Sequence, residues 1–424
     1  MAKTLDVYLH DEFVGHLIQD DGGQISFQYT QVWLDRPGST ALSVSLPLQK
    51  ERFNRNECRG FFAGILPDET KREIIARNLG ISARNDFAML ERIGGECAGA
   101  VTFIPAGQPL PARDYHYRTI SQKQLADIFR ELPKRPLLAG EEGVRLSLAG
   151  AQDKIAVRIE MGEISLPLGG APSTHILKPS IERFAGVVFN EAFTMELAGD
   201  TGIPAAKVEV RTTETIEYLS VERYDRTHIQ SGTTVTLDRL HQEDFCQALN
   251  IDPEMKYQKE GGPSLKQCFA LVRDISSAPV VDLARLLDAV VYNFLIGNND
   301  AHGKNFSLLY HGAGTANQQI RLAPLYDVIS TAYYPELSND MAMKIDMAMK
   351  IGDEYKSERV APRDFDTLAE QAGLAKPLVR RRVPELAQAV LDTTSKIKID
   401  QDVAQKVAAL IRKRCEASSR QFGQ

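Results

Sequence analysis

The chain has 424 residues, 50 Lys+Arg against 56 Asp+Glu and a formal net charge of −6; 43% of it is hydrophobic and 25% charged. That length requires two or three structural units, and the composition argues against disordered, collagenous and membrane-spanning classes. A negative balance leaves any nucleic-acid binding to a local basic patch.

Near the start, Asp6 interrupts the apolar run that a signal peptide needs, and no apolar run reaches the ~18 residues of a membrane span. Cys58, Cys97, Cys246, Cys268 and Cys415 are odd in number and form no CxxC pair. Neither a zinc knuckle nor a disulfide framework is expected, and the chain reads as a cytoplasmic protein without membrane association.

Leu5, Val7 and Leu9 alternate with polar residues, and Asp/Gly turns at 10–12 and 20–23 separate two further alternating runs, so the spacing predicts a β-meander. Helical spacing follows over 61–78 and 88–93. The proline-rich stretch 105–113 is the best linker candidate. Strands are predicted at 154–159, 175–177, 207–211 and 216–221, with a helix at 190–201 among them. Beyond Asp238 the pattern turns helical for most of the remaining chain, with 306–310 read as a strand, and it is clearest where Leu283, Leu286, Leu287, Val290, Val291, Phe294 and Leu295 mark one buried face. The fold class is α+β: a β-rich N-terminal part and a mostly α-helical C-terminal lobe. Expected domains are 1–110, an α+β subdomain; 111–225, a β-rich small lobe; and 226–424, a helical lobe. A tandem hexamer, Met341-Ala-Met-Lys-Ile-Asp346 then Met347-Ala-Met-Lys-Ile-Gly352, reads as a local duplication lengthening a strand or hairpin.

The strongest chemical signal is Asn298-Asn299-Asp300-Ala301-His302-Gly303-Lys304-Asn305, a polar loop behind the buried helix, with Gly297 placed to stop that helix. Phosphoryl transfer needs a carboxylate to accept the proton of the acceptor hydroxyl and a nearby amide oxygen for Mg²⁺, and Asp300 and Asn305 have the spacing that protein kinases use. Asp327, in Ala323-Pro-Leu-Tyr-Asp327, is a second oxygen ligand of the kind Mg²⁺ takes. His302 lacks the spacing of a metal site and fits a hydrogen-bonding role in the loop; Lys304 suits neutralisation of phosphate charge.

Ser147-Leu-Ala149-Gly150-Ala151-Gln152-Asp153-Lys154 puts small residues before a strand, where backbone amides can approach phosphates, although it is not a Walker sequence. Lys178 ends an apolar strand, the position from which a lysine reaches nucleotide phosphates, and Glu191 or Glu196 could pair with it. Glu222, Arg223 and Tyr224 lie where a strand leaving the small lobe offers backbone to an adenine ring. Arg380-Arg381-Arg382 is the clearest basic cluster and the candidate for DNA contact, or else a solvated helix face.

Taken in order, Ser147 to Lys154, His175-Ile-Leu-Lys178, Val221-Glu-Arg-Tyr-Asp-Arg226, Asn299 to Phe306 and Leu325-Tyr-Asp327 resemble the HipA-type serine/threonine kinases over nearly the full chain. The resemblance implies a bilobal, lipid-kinase-related fold and a growth-inhibiting, persistence-type toxin that uses ATP and Mg²⁺. It implies Asp300 as catalytic carboxylate, Asn305 and Asp327 as metal ligands, and Ser147 as an autophosphorylation site that silences the enzyme. ATP contacts would come from Ala149, Gly150, Ala151, Gln152, Asp153, Lys154, Lys178, Glu222, Arg223, Tyr224, His302 and Lys304. It further implies a HipB-like helix-turn-helix antitoxin, co-repression at operator DNA through that complex, and a protein substrate such as glutamyl-tRNA synthetase. Tyr224 stands where the family hinge often has Phe. A catalytically weak co-repressor scaffold and a small-molecule kinase of the aminoglycoside or choline type are the alternatives.

Overall fold

In a computed structural model, which describes residues 2–111, 115–181, 184–231, 234–334, 346–397 and 400–422, the opening alternation folds as a meander. β1 (Lys3–Leu9) buries Leu5, Val7 and Leu9 and pairs antiparallel with β2 (Glu12–Gln19), which pairs with β3 (Ile25–Tyr29). A strand not foreseen in the sequence, β4 (Val101–Pro105), completes the order β3-β2-β1-β4. The expected linker at 105–113 begins on the last residue of β4, and residues 112–113 lie outside the described residues. The helical spacing at 61–78 belongs to two helices, Arg55–Gly64 and Glu69–Leu79. Pro67 separates them because it has no N–H to carry the hydrogen-bond ladder through. Asn54 and Glu57 form a capping box that starts the first helix, and Gly80, at φ 66°, ends the second.

β5 (His116–Thr119), β6 (Ile155–Glu160), β7 (Glu163–Leu168), β8 (His175–Pro179), β9 (Val208–Thr213) and β10 (Ile216–Glu222) form a six-stranded sheet in the order β5-β7-β6-β8-β10-β9. Strand spacing located β6, β8, β9 and β10; β5 and β7 were not legible. After Asp238 the strand expected at 306–310 is present, and it has strand partners that were not foreseen. Besides the hairpin of β11 (Arg226–Ser231) and β12 (Thr234–Arg239), a three-stranded sheet joins β13 (His241–Asp244), β14 (Ser307–His311) and β15 (Gln319–Leu322).

Two compact units result. The first comprises Met1–Pro179, Arg211–Glu254 and Ser307–Arg321 and is rich in strands. The second comprises Ser180–Val210, Met255–Phe306 and Leu322–Gln424 and is mostly helical. Its centre is the helix Pro279–Ile296, which starts on a proline and ends at Gly297 with φ 73°. Leu286, Leu287, Val290, Val291, Phe294 and Leu295 are buried on it, and helices Leu265–Ile275, Lys376–Thr394 and Asp402–Phe422 pack against it.

Residues 341–345 of the duplicated segment lie outside the described residues. The second copy does not lengthen a strand: Ile351 makes an isolated bridge to Glu354, while consecutive Met347, Ala348 and Met349 are all buried. An edge strand would bury alternate residues. Among the described residues, no helix is long and apolar enough to cross a membrane.

Candidate active site

In the helical unit, Gly297 closes the central helix by donating to the carbonyls of Asn293 and Phe294, so the polar loop begins at a fixed point. Asn298 then donates from Nδ2 to Asn293 Oδ1 at 2.8 Å and accepts the Asp300 N–H at 3.1 Å. The Asn299 N–H donates to Thr331 Oγ1 at 2.8 Å, and Ser330 Oγ donates to the Ile296 carbonyl at 2.6 Å. Asn190, buried on helix Val187–Asp200, grips Ser330 from both sides, donating to its carbonyl at 3.0 Å and accepting its N–H at 3.0 Å. Thr194, one turn on, donates to the Val328 carbonyl at 2.6 Å. Loop 298–305 and segment 326–331 are therefore both tied to the central helix, and the segment also to helix Val187–Asp200.

Two further bonds join those segments directly. Tyr326 donates its hydroxyl to the Lys304 carbonyl at 2.7 Å, and Asn305 Nδ2 donates to the Asp327 carbonyl at 3.4 Å. Asp327 has φ 58°, a left-handed backbone that aspartate tolerates better than most residues. Its segment is held there by the Leu325 N–H on Pro204 and the Ala206 N–H on Leu325, each at 2.8 Å. With Asn305 Nδ2 committed, its Oδ1 and the Asp327 carboxylate are the hard oxygen donors of this corner. Among the described residues no group of three or more His, Cys, Asp or Glu gathers as a metal cage. The donor set fits an ion such as Mg²⁺, which keeps waters and substrate oxygens in its shell. Asp300 is half-buried and accepts from the Tyr257 hydroxyl at 2.8 Å. His302, Lys304 and Asn305 are buried around it.

In the strand-rich unit, Ser147 is wholly buried. Its Oγ donates to the Ile65 carbonyl at 2.9 Å and its N–H to the Glu96 carbonyl at 2.9 Å. The turn after it is more open. Gly150, at φ 105°, donates its N–H to Asp68 Oδ1 at 3.1 Å, Lys154 Nζ reaches back to the Ala149 carbonyl at 2.7 Å, and Asp153 pairs with Lys71 at 2.5 Å. Ala151 is exposed and Gln152 half-buried. Lys178 is buried on β8 opposite Leu219 of β10, and Glu222, at the end of β10, is exposed. On helix Val187–Asp200, Glu191 is buried and Glu196 exposed.

Arg223 has a different occupation from its neighbours. Its guanidinium is buried and donates to Asp225, Glu96, Ser173 and the Cys97 carbonyl, while its N–H is taken by the Thr174 carbonyl at 2.9 Å. Arg226 donates to both Glu96 oxygens, at 2.7 and 2.9 Å. Burial by itself would raise the Glu96 carboxyl, but Arg226 and Arg223 outweigh it and bring it down to about 2. Burial pushes the Tyr224 phenol up, against a hydrogen bond with Ser307.

The sequence-predicted residues thus fall into two groups. Asp300, His302, Lys304, Asn305 and Asp327 come together in the helical unit; Ser147, the 149–154 turn, Lys178, Glu222, Arg223 and Tyr224 belong to the strand-rich unit. Arg380, Arg381 and Arg382 lie on helix Lys376–Thr394, and each has an acid partner: Asp366, Glu385 and Asp288 respectively. Sequence reasoning missed Tyr257, Glu96, Asn190, Ser330 and Thr331. No local motif marks them, because each acts on a segment remote in the chain.

The chain matches the HipA-like C-terminal domain over residues 146–394 and the HipA N-terminal domain over residues 5–104. It is 45% identical over 412 residues to the putative kinase Y4mE of Sinorhizobium fredii, covering 94% of each chain. With the serine/threonine-protein kinase toxin HipA of Shewanella oneidensis it shares 29% identity over 425 residues, covering 96% of this chain and 93% of that one. Among solved structures, it is similar to the Shewanella oneidensis toxin–antitoxin complex of HipA, HipB and operator DNA, with a TM-score of 0.83 and 27% identity over 99% of this chain and 98% of that chain.

Proposed function

The chain belongs to the HipA family of toxin–antitoxin kinases, and from that premise we propose that it transfers the γ-phosphoryl group of ATP to a serine or threonine hydroxyl. The observation that carries the assignment of roles is the bond from Asn305 to the Asp327 carbonyl, which ties the loop bearing Asp300 to the backbone that carries the second carboxylate. Asp300 accepts the proton of the acceptor hydroxyl as its oxygen bonds to phosphorus and the bond to the β-phosphate oxygen breaks, leaving ADP. Asn305 and Asp327 would hold Mg²⁺, whose charge, when bound, offsets that of the phosphates. Lys178, His302, Lys304 and the 149–154 turn serve the phosphates, and the backbone of 222–224 serves the adenine. Arg223 contributes main chain only, since its guanidinium is committed to Glu96 and Asp225.

Ser147 is the proposed autophosphorylation site. Its hydroxyl is buried against Ile65, so the segment has to leave that seat before phosphate can be added. A phosphate of charge about −1.5 to −2 cannot return there without losing its hydration, so the modified segment stays out and the phosphate-binding turn with it.

We also propose a HipB-like helix-turn-helix antitoxin as partner and operator DNA as the target of the complex, supported by the similarity to the Shewanella oneidensis assembly. Arg380, Arg381 and Arg382 remain candidates for direct DNA contact, at the expense of their carboxylate partners. The proposed substrate class is an aminoacyl-tRNA synthetase such as glutamyl-tRNA synthetase, on the family resemblance alone.

The test is incubation of the purified, phosphatase-treated chain with Mg²⁺ and labelled ATP, followed by phosphopeptide mass spectrometry. Label on Ser147 that vanishes in Asp300→Asn supports the assignment. Robust transfer by Asp300→Asn overturns the role of Asp300, and a folded wild-type chain that transfers nothing favours the co-repressor scaffold.

A further inference from the structure

We propose that Tyr257 is a positioning residue for phosphoryl transfer, fixing the Asp300 carboxylate through one oxygen so that the other faces the acceptor hydroxyl. The inference rests on Asp300 being the catalytic carboxylate. Tyr257 donates its hydroxyl to Asp300 Oδ1 at 2.8 Å, and its ring stands edge-on to His302, with centroids 5.4 Å apart and planes at 82°.

The backbone that carries the phenol is itself held on both sides. The Lys256 carbonyl accepts the Gly303 N–H at 3.4 Å, while the Tyr257 carbonyl accepts the N–H of Gly262 at 2.9 Å. Next along the chain, the Gln258 N–H donates to the Ala348 carbonyl at 2.9 Å, and the Ala348 N–H donates to the Asn299 carbonyl at 2.7 Å. Gln258 Oε1 accepts the Lys350 N–H at 3.0 Å. The second Met-Ala-Met-Lys-Ile copy is thus one side of a backbone brace across residues 299–303, and Tyr257 is the side chain through which that brace reaches the Asp300 carboxylate.

A half-buried aspartate on a loop samples rotamers unless something holds it. A hydrogen bond to one carboxylate oxygen removes that freedom before the acceptor arrives, and such orientation acts on the chemical step rather than on nucleotide binding.

The experiment compares wild type, Tyr257→Phe, Asp300→Asn and the double variant, as full-length phosphatase-treated chains, by the rate of label transfer from Mg²⁺-ATP onto the chain across a range of ATP concentrations. Phenylalanine keeps the ring against His302, so melting temperature should be unchanged. The maximal rate should fall about tenfold to a hundredfold, as for loss of a hydrogen bond to a charged group. The half-saturating ATP concentration should stay the same, and Tyr257→Phe should add nothing to Asp300→Asn. A maximal rate within about twofold of wild type, or a loss appearing equally as weaker ATP saturation, overturns the positioning role while Asp300→Asn is inactive. An active Asp300→Asn instead overturns the assignment of the carboxylate, and the proposal with it.

Discussion

Loop 298–305 and segment 147–154 are both short polar stretches beside apolar structure, yet they are held differently. The first is tied to buried Asn293 and Thr331 and to half-buried Tyr326, and the segment that bears Thr331 is itself gripped by buried Asn190. The second has one buried anchor, Ser147 on Ile65 and Glu96. From Ala149 onward it is held by Asp68, by its own Lys154 and by the Lys71–Asp153 pair, with partly exposed partners. A loop that must keep a carboxylate, an amide and a second carboxylate in register gains from redundancy, since no single opening disturbs it. Under the proposed autophosphorylation the other segment has to surrender a buried serine, and a seat that can be vacated suits that.

The sharpest break in the first region is chemical. Asp300→Asn and Asp327→Asn should each lower phosphoryl transfer by about a thousandfold or more, since one removes the proposed proton acceptor and the other the proposed charge for the metal. Radiolabel transfer by the purified variants measures this, and activity within tenfold of wild type would remove either residue from its role.

The seat of Ser147 should be acid-sensitive. Glu96 lies below its ordinary value of 4.5, at about 2, because of Arg226 and Arg223 against the opposing effect of burial. A carboxyl depressed in the fold lends stability that is complete above about pH 4.5 and is lost as pH falls through about 2, here on the order of 3 kcal/mol. Protection of the amides at 145–148, relative to an unstructured amide at the same pH, should therefore fall between those values, and Glu96→Gln should quicken their exchange at neutral pH, where it leaves buried arginines undercompensated. No change in exchange at 145–148 in Glu96→Gln would disconnect the charge cluster from the seat.

Asn190→Ala tests the redundancy of the other region. It strips a donor and an acceptor from buried Ser330, which should cost about 2–3 kcal/mol in denaturant unfolding. Loop 298–305 should keep much of its transfer rate at low temperature, because Thr331 and Tyr326 still hold it. Lys154→Ala is the mildest: it removes a partly exposed bond to the Ala149 carbonyl, should cost under about 1 kcal/mol, and should weaken ATP saturation a few-fold. Unaltered saturation would remove Lys154 from the phosphate contacts.

Much of this was legible in the chain. The apolar stripe from Leu283 to Leu295 with Gly297 after it located the central helix and its stop, because helical periodicity and a left-handed terminus are local properties. The loop motif was legible for the same reason, since its donors and acceptors lie within a few residues. β5 and β7 were not: His116-Tyr-Arg-Thr119 carries no apolar alternation, and β7 is recognisable as a strand only from the sheet it joins.

What the sequence alone determined is the inventory: which carboxylates, amides and lysines are present, their spacing, and the family they resemble. Only the tertiary structure decided their employment. It gave the Arg223 guanidinium to Glu96 rather than to a ligand, and acid partners to all three arginines of the basic cluster. It buried Ser147, and it brought Tyr257 and the second Met-Ala-Met-Lys-Ile copy against Asp300 and its loop. The reason is distance along the chain. A hydrogen bond between residues far apart in sequence leaves no periodicity to read, and buried polar groups take whichever partner the fold delivers.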